Sequence, residues 1–321
     1  MLATGDITVK IQHAASSAFP RSGGLPRLWF REKVNARPHH YFLNPESQHL
    51  LLCGHGYLGQ AVARTFHDHG WHVTCLSLTG GPDSLACDLG DKSAITRITA
   101  AIPPLDAVVH CAASGRGGAD AYRHVYLGGM RNLAHLFIGL PLLFTSSTSV
   151  YAQTDGSLVT EASPAEPDRE TGRILLASER VTLDAHGTVA RLAGIYGPGR
   201  SVLLQKFLAG SATIEEDGRR FINQIHRDDA AAAIYHLIAS CRGGHPGIFN
   251  VSDSQPLTQA DCYAGLAALF NKPLPPAGPR DPTRKRGWTH KQVSNAKLIG
   301  TGWQPFYPGF LGIAREIADT L

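Results

Sequence analysis

Along the chain, apolar and polar positions first fall into a regular alternation at residue 50. Leu50-Leu51-Leu52-Cys53 is a short unbroken apolar run, as expected of a strand covered on both faces. It leads into Gly54-His55-Gly56-Tyr57-Leu58-Gly59, after which Leu58, Val62 and Phe66 recur at helical spacing beside Ala61 and Thr65. Gly70 ends that helix, and Trp71 to Leu76 supplies a second apolar strand. A helix is expected over Ser93–Ala101, stopped by Pro103-Pro104, and then a strand over Asp106–Ala113. A long helix follows over about Ala119–Ile138, then a strand with a polar edge over Leu142–Tyr151. A helix around Thr171–Glu179 leads to a further strand that ends near Ala190. Strands alternating with helices predict an α/β fold, a Rossmann-like doubly wound parallel sheet with ligands at the carboxyl ends of its strands.

After Arg191 the pattern loosens. Helices are expected over Ser201–Leu208, Asp228–Ser240 and Asp261–Phe270, with a short strand over Gly247–Val251 and a charged turn over Glu215–Arg220. Prolines 273, 275, 276, 279 and 282 break the chain before the last helices, near Ser294–Ile299 and Gly309–Ala318. These pieces predict a smaller C-terminal substrate lobe over the strand ends. The expected division is an N-terminal extension over 1–48, a nucleotide-binding domain over 49–192 and a substrate lobe over 193–321. About residues 225–252 of the last part return to the first domain.

Charge changes this picture little. Of the net charge of +4, +3 lies before Leu50, so the body is nearly neutral and no nucleic-acid module is visible. No stretch approaches the roughly 20 apolar residues that span a bilayer, which argues against a membrane protein. The extension has no sustained period and no secretory apolar core, and it is assigned no chemistry. The six cysteines show no C-x-x-C spacing and read as small core residues in a reducing cytoplasm. The sixteen histidines show no metal-ligand spacing.

The glycine run carries the clearest chemistry. Gly54 permits a tight turn, Gly56 lets a pyrophosphate approach the backbone, and Gly59 lets helix and strand pack closely. The helix that opens at Tyr57 and Leu58 offers free amides and partial positive charge to phosphates. A purely structural glycine turn is the competing reading. Strand two ends at Ser77-Leu78-Thr79 without the acid that usually holds the ribose of NAD. That favours NADP and leaves NAD admissible, because no arginine stands there either. Asp88, followed by Leu89, could accept from an adenine amino group or simply start a helix. Cys111, Ala112 and Ala113 are small enough for a cofactor to lie close.

With these motifs in place, the chain from about residue 49 resembles the extended short-chain dehydrogenase/reductases, which include sugar-nucleotide epimerases and dehydratases. The likeness rests on the glycine run, Asp88-Leu89, Val108–Ala113 and Ser146–Tyr151. It continues through Glu161–Pro164, Arg191–Arg200, Ile225–Ala231 and Ile248–Asp253. It implies a serine at Ser147 and a Tyr-x-x-x-Lys pair on the helix ending at Glu179. Counting back from Glu179, the lysine position is Leu175 and the tyrosine position is Thr171. Both catalytic side chains are missing, so the chain is similar to the atypical branch with an incomplete catalytic set.

Ser147 is therefore the first catalytic candidate, as a donor to a substrate oxygen, and Tyr151 the second, against a packing role. Arg200, Arg220 and Asn223, with Lys206 and Arg219, are candidate substrate liners whose charge points to an anionic small molecule. Salt bridges to Glu215, Glu216 and Asp217 account for the same arginines without a ligand. The resemblance also implies a homodimer through helices near Ala119–Ile138 and Arg173–Asp184. Two functions stay open: an NAD(P)-dependent oxidoreductase or epimerase-like enzyme for a small hydroxyl or carbonyl compound, and a non-catalytic NAD(P)-binding sensor or structural protein.

Overall fold

Four apolar residues in a row leave no face for water, and β1 (His49–Cys53) is fully buried inside a seven-stranded sheet. The computed structural model describes residues 47–115, 117–241, 243–280 and 288–321. The extension up to residue 46 and the basic run Arg284-Lys285-Arg286-Gly287 lie outside the described residues. The other sheet strands are β2 (His72–Ser77), β3 (Leu85–Ala86), β4 (Ala107–His110), β5 (Leu142–Ser147), β6 (Thr188–Leu192) and β7 (Gly247–Val251). Their order is β7-β6-β5-β4-β1-β2-β3, and every pairing is parallel. The chain moves outward from β1 in both directions, so the crevice between the carboxyl ends of β1 and β4 is a topological switch point.

Alternation along β1 assigns its side chains to two layers. Leu50 and Leu52 join Val62 and Phe66 of α1 (Tyr57–Asp68) and Ala230, Ala231, Ile234 and Leu237 of α7 (Arg227–Ala239). The alanines of α7 keep that layer thin. Leu51 and Cys53 face the other side, with Ile95 of α2 (Lys92–Thr99), Met130 and Leu133 of α4 (Gly129–Leu136) and Leu175 of α5 (Glu170–Asp184). A third cluster gathers Leu204 and Phe207 of α6 (Val202–Leu208), Tyr263 and Leu266 of α8 (Gln259–Phe270), and Tyr196, Phe310 and Ile317.

The expected single helix over Ala119–Ile138 is corrected. It comprises α3 (Ala119–Tyr122), a π-helical segment over Arg123–Gly128, and α4, which ends at Leu136. The wider turn exposes the carbonyl of Val125, which accepts a hydrogen bond from Nε2 of buried His110 at 3.0 Å. Burial pushes the His110 imidazole down to about 4, with that hydrogen bond opposing the shift. His226 acts as the N-cap of α7, its Nδ1 accepting from the Asp228 N–H at 3.2 Å.

Asp253, just after β7, is 4% exposed. Burial pushes its carboxyl up to about 8, against the hydrogen bond from the Gln255 N–H, and Asp229 adds to the rise. The folded state holds this proton more tightly than the unfolded chain does. Its contribution to stability is complete below about pH 4 and is lost as pH rises through about 8. In urea unfolding, Asp253→Asn is expected to gain on the parent by up to about 1.4 kcal/mol per pH unit across that window. A stability difference that stays constant from pH 5 to pH 8 would exclude this role.

Candidate functional site

The glycine run makes a cradle at the carboxyl end of β1. Gly54 has φ +109°, and a Cβ there would collide with the backbone of Ala112 at the end of β4. A Cβ on Gly59 would overlap the carbonyl oxygen of Gly54. Gly56 is different, because a Cβ added there meets nothing within 4 Å. Gly54 and Gly59 let strand, turn and helix close up, and Gly56 borders open space. The N-terminus of α1 has no side-chain cap and no acid in its first turn, so its amides face that space unopposed. The residues present fit a dinucleotide phosphate.

That space is a chamber of about 630 Å³. Gly54, Gly56, Tyr57, Leu58, Gly59, Ser77, Asp88, Leu89, Cys111, Ala112 and Ala113 all line it, as do Ser147 and Arg200. Several of these groups already have protein partners. The Ser77 hydroxyl lies 2.9 Å from that of Ser84. Asp88 Oδ1 accepts from the Gly90 N–H, and its carboxylate meets Nε2 of His124 at 2.8 Å. Asp88 thus ties the loop after β3 to the π-helical segment, which also brings Tyr126 to the chamber beside Tyr122 of α3. Tyr122, His124 and Tyr126 carry no local motif, and the pattern of residues alone missed them, while His55 is the variable position within the glycine run. Tyr57 donates from its hydroxyl to Pro198 O, and the guanidinium groups of Arg200 and Arg227 each lie 5.0 Å from its ring centre.

At the reacting end, Ser147 closes β5 and caps the short turn Thr148–Val150, its Oγ accepting from the Ser149 N–H at 3.2 Å. The hydroxyl proton is left for another acceptor. Leu175 lines the chamber, whereas Thr171 is not among the lining residues. Tyr151 lies elsewhere: it is fully buried and lines neither this chamber nor the one beside it. Its hydroxyl donates to Asn250 Oδ1 at 2.9 Å and accepts from Arg191 Nη1 at 2.8 Å. Arg191 in turn grips Glu179, which also accepts from Ser146. The Tyr151 ring therefore belongs to a buried polar network, completed by Ser146 of β5 and Arg191 of β6.

A second chamber, of about 840 Å³, adjoins the first through Ser147, Ser149, Ile195 and Arg200. It contains Arg220 and Asn223 together with Lys206, Glu215, Thr289 and Lys291. The charged turn expected over Glu215–Arg220 is a buried ion pair at its ends, with Arg220 Nε 3.1 Å from Glu215 Oε2. Asn223 spends its amide on the backbone: Nδ2 donates to Lys291 O at 2.9 Å, and Oδ1 accepts from the Val293 N–H at 2.8 Å. No local sequence signal marks Lys291, which reaches the chamber from far along the chain.

A parallel sheet with a glycine cradle at its switch point defines a dinucleotide-fold protein, and a second chamber lies beside the cradle. The chain belongs to the NAD dependent epimerase/dehydratase family, whose model matches residues 50–252. It is 32% identical over 225 residues to Protein YeeZ of Escherichia coli (strain K12), covering 63% of this chain and 76% of that protein. Its fold is shared by human epimerase family protein SDR39U1 (isoform 2) with NADPH, at 19% identity and TM-score 0.68, covering 85% of this chain and 100% of that one. It is also shared by the UDP-glucose 4-epimerase of Thermus thermophilus in complex with NAD, at 21% identity and TM-score 0.70, covering 85% and 98%. Among the described residues, no helix is long and apolar enough to cross a membrane.

Proposed function

We propose that this protein is an NAD(P)-binding oxidoreductase or epimerase-like enzyme acting on a small hydroxyl or carbonyl compound. The observation that carries this reading is the open space in front of Gly56, bounded by two glycines that cannot bear a side chain. The coenzyme would lie with its phosphates on the amides of Gly56 to Leu58 and its adenine end near Asp88 and Leu89. Cys111, Ala112 and Ala113 would flank it on the β4 side. When bound, it supplies hydride chemistry. Ser147 donates its free proton to the substrate oxygen and orients it, and Leu175 shields that end from water. NADP is favoured over NAD, since Ser77 rather than an acid ends β2. Six unpaired cysteines support a reducing, cytoplasmic setting.

The second reading is a non-catalytic NAD(P)-binding sensor or structural protein, and Leu175 in the cleft is the observation that favours it. A leucine holds no ribose and stabilises no tyrosinate. One experiment separates the two. At 100 times its Kd, NADPH is expected to stabilise the protein by about 2.7 kcal/mol, raising Tm by about 5 °C or more. A panel of carbonyl compounds is then followed by loss of nicotinamide absorbance. Protection with turnover supports the enzyme, protection without turnover supports the sensor, and no protection by NADPH or NADH overturns both.

A further inference from the structure

The second chamber collects positive charge from four separate stretches of chain. Arg200 comes from the turn after β6, Lys206 from α6, Arg220 from the loop that follows α6, and Lys291 from the C-terminal segment. The single carboxylate that lines it, Glu215, is engaged by Arg220. Lys291 is 4% exposed, and its Nζ donates to the Tyr151 carbonyl at 2.7 Å and the Thr289 hydroxyl at 3.0 Å. Both acceptors are neutral, and an ammonium has a third N–H. Taking a charge out of water costs several kcal/mol unless a partner of opposite sign offsets it. Here none does among the described residues.

The lysine is nevertheless held firmly in place. Asn223 fastens the backbone on both sides of Gln292, and Gln292–Val293 pairs with Leu158–Val159 as a parallel strand. A fixed, buried cation in a chamber lined by three other cations, with no acid as its own partner among the described residues, is a seat for an anion. We propose that the second chamber seats a carboxylate or phosphate group of the substrate, with Lys291 as its buried cation and Arg200, Lys206 and Arg220 around it. This rests on the reading of the cleft as a coenzyme and substrate site, and it narrows the substrate to a compact hydroxy or oxo compound bearing an oxyanion. Asn223 is then a positioning residue for Lys291.

The seat depends on pH. Burial, with the charge of Arg220 adding to it, pushes the Lys291 ammonium down to about 8. The groups that line the chamber with it are Arg220 and Glu215 from the loop after α6, Arg200 and Lys206 from the turn and α6, and Gln259 and Tyr263 from α8, and of these Arg220 acts on its charge. His290, its neighbour, stacks instead on Phe221. The cation is present below about pH 8 and lost above it, so anion affinity falls about tenfold from pH 7 to pH 9.

The test is calorimetric titration of the full chain with sulfate and, separately, malonate, whose charges do not change between pH 7 and pH 9. The parent is expected to bind at least one probe, about tenfold more weakly at pH 9. Lys291→Met is expected to bind about tenfold or more weakly at pH 7 and to lose the pH dependence, whereas Lys291→Arg keeps the binding and loses only the pH dependence. Sulfate alone points to a phosphorylated substrate and malonate alone to a carboxylate. Lys206→Ala, an exposed site, is expected to weaken binding severalfold even if Lys291→Met does not fold. Failure of both probes on the parent, a flat pH response, or unchanged binding by Lys291→Met overturns the proposal. NADPH heat protection is read on the same samples. Protection without anion binding sinks the seat alone, and anion binding without protection sinks the coenzyme reading alone.

Discussion

Arg191→Met is expected to cost about 3–5 kcal/mol of folding stability, measured by urea unfolding. Arg191 meets Glu179 through Nη2 at 2.6 Å and Nε at 3.0 Å, and it meets Tyr151 through Nη1 at 2.8 Å. The side chains of the pair are 4% and 3% exposed. Removing the guanidinium leaves a carboxylate in the core with Ser146 as its remaining hydrogen-bond donor. The Tyr151 hydroxyl loses a donor at the same time. Arg191→Met with Glu179→Leu is expected to recover most of the loss, because an apolar pair removes the stranded charge. A single-variant loss below about 1 kcal/mol would mean that water or a shifted side chain reaches Glu179. The consequence reaches the site, since Ser146 and Ser147 are neighbours on β5 and Leu175 lies one turn before Glu179 on α5.

Gly56→Asp is expected to abolish coenzyme binding and leave the bare protein intact. Gly56 has φ −89°, which any residue adopts, and its added Cβ touches nothing. An aspartate there can even cap α1. Yet it places a carboxylate where the proposed coenzyme would put its phosphates. Two like charges about 4 Å apart repel by about 4 kcal/mol at an effective dielectric of 20, roughly a thousandfold in affinity. The checks are heat protection by NADPH and the melting temperature without ligand. Gly59→Ala is the contrasting control, because its Cβ overlaps Gly54 O and both readouts fall together. Unchanged protection of Gly56→Asp would remove the crevice as the coenzyme seat.

Much of the nucleotide half was legible in the chain. The unbroken run Leu50–Cys53 can only be a strand covered on both faces, and each expected cofactor residue lines the first chamber. The glycine spacing is readable because turn, close approach and packing are needs of the local backbone. Tyr151 shows the opposite. It looks like a site residue by its place after a strand, yet its hydroxyl is committed to Asn250, 99 residues away, whereas Asn223, expected as a substrate liner, lines the second chamber while its amide holds backbone 68 residues away. Arg220, readable in the chain either as a substrate liner or as the partner of an acid in its own turn, lines the second chamber and is paired with buried Glu215. The π-helical turn was hidden too, and its Val125 carbonyl meets His110 of β4, 15 residues away.

By itself the sequence determined the order of strands and helices, the glycine cradle and the absence of any tyrosine or lysine from α5. Those are properties of hydrophobic period and backbone freedom, which act within a few residues. The tertiary structure alone decided which polar side chains meet. It put Tyr151 under Arg191 and set Lys291 among the cations of the second chamber. The physical reason is that burial and charge depend on what the fold brings together from distant parts of the chain, and no local pattern encodes that.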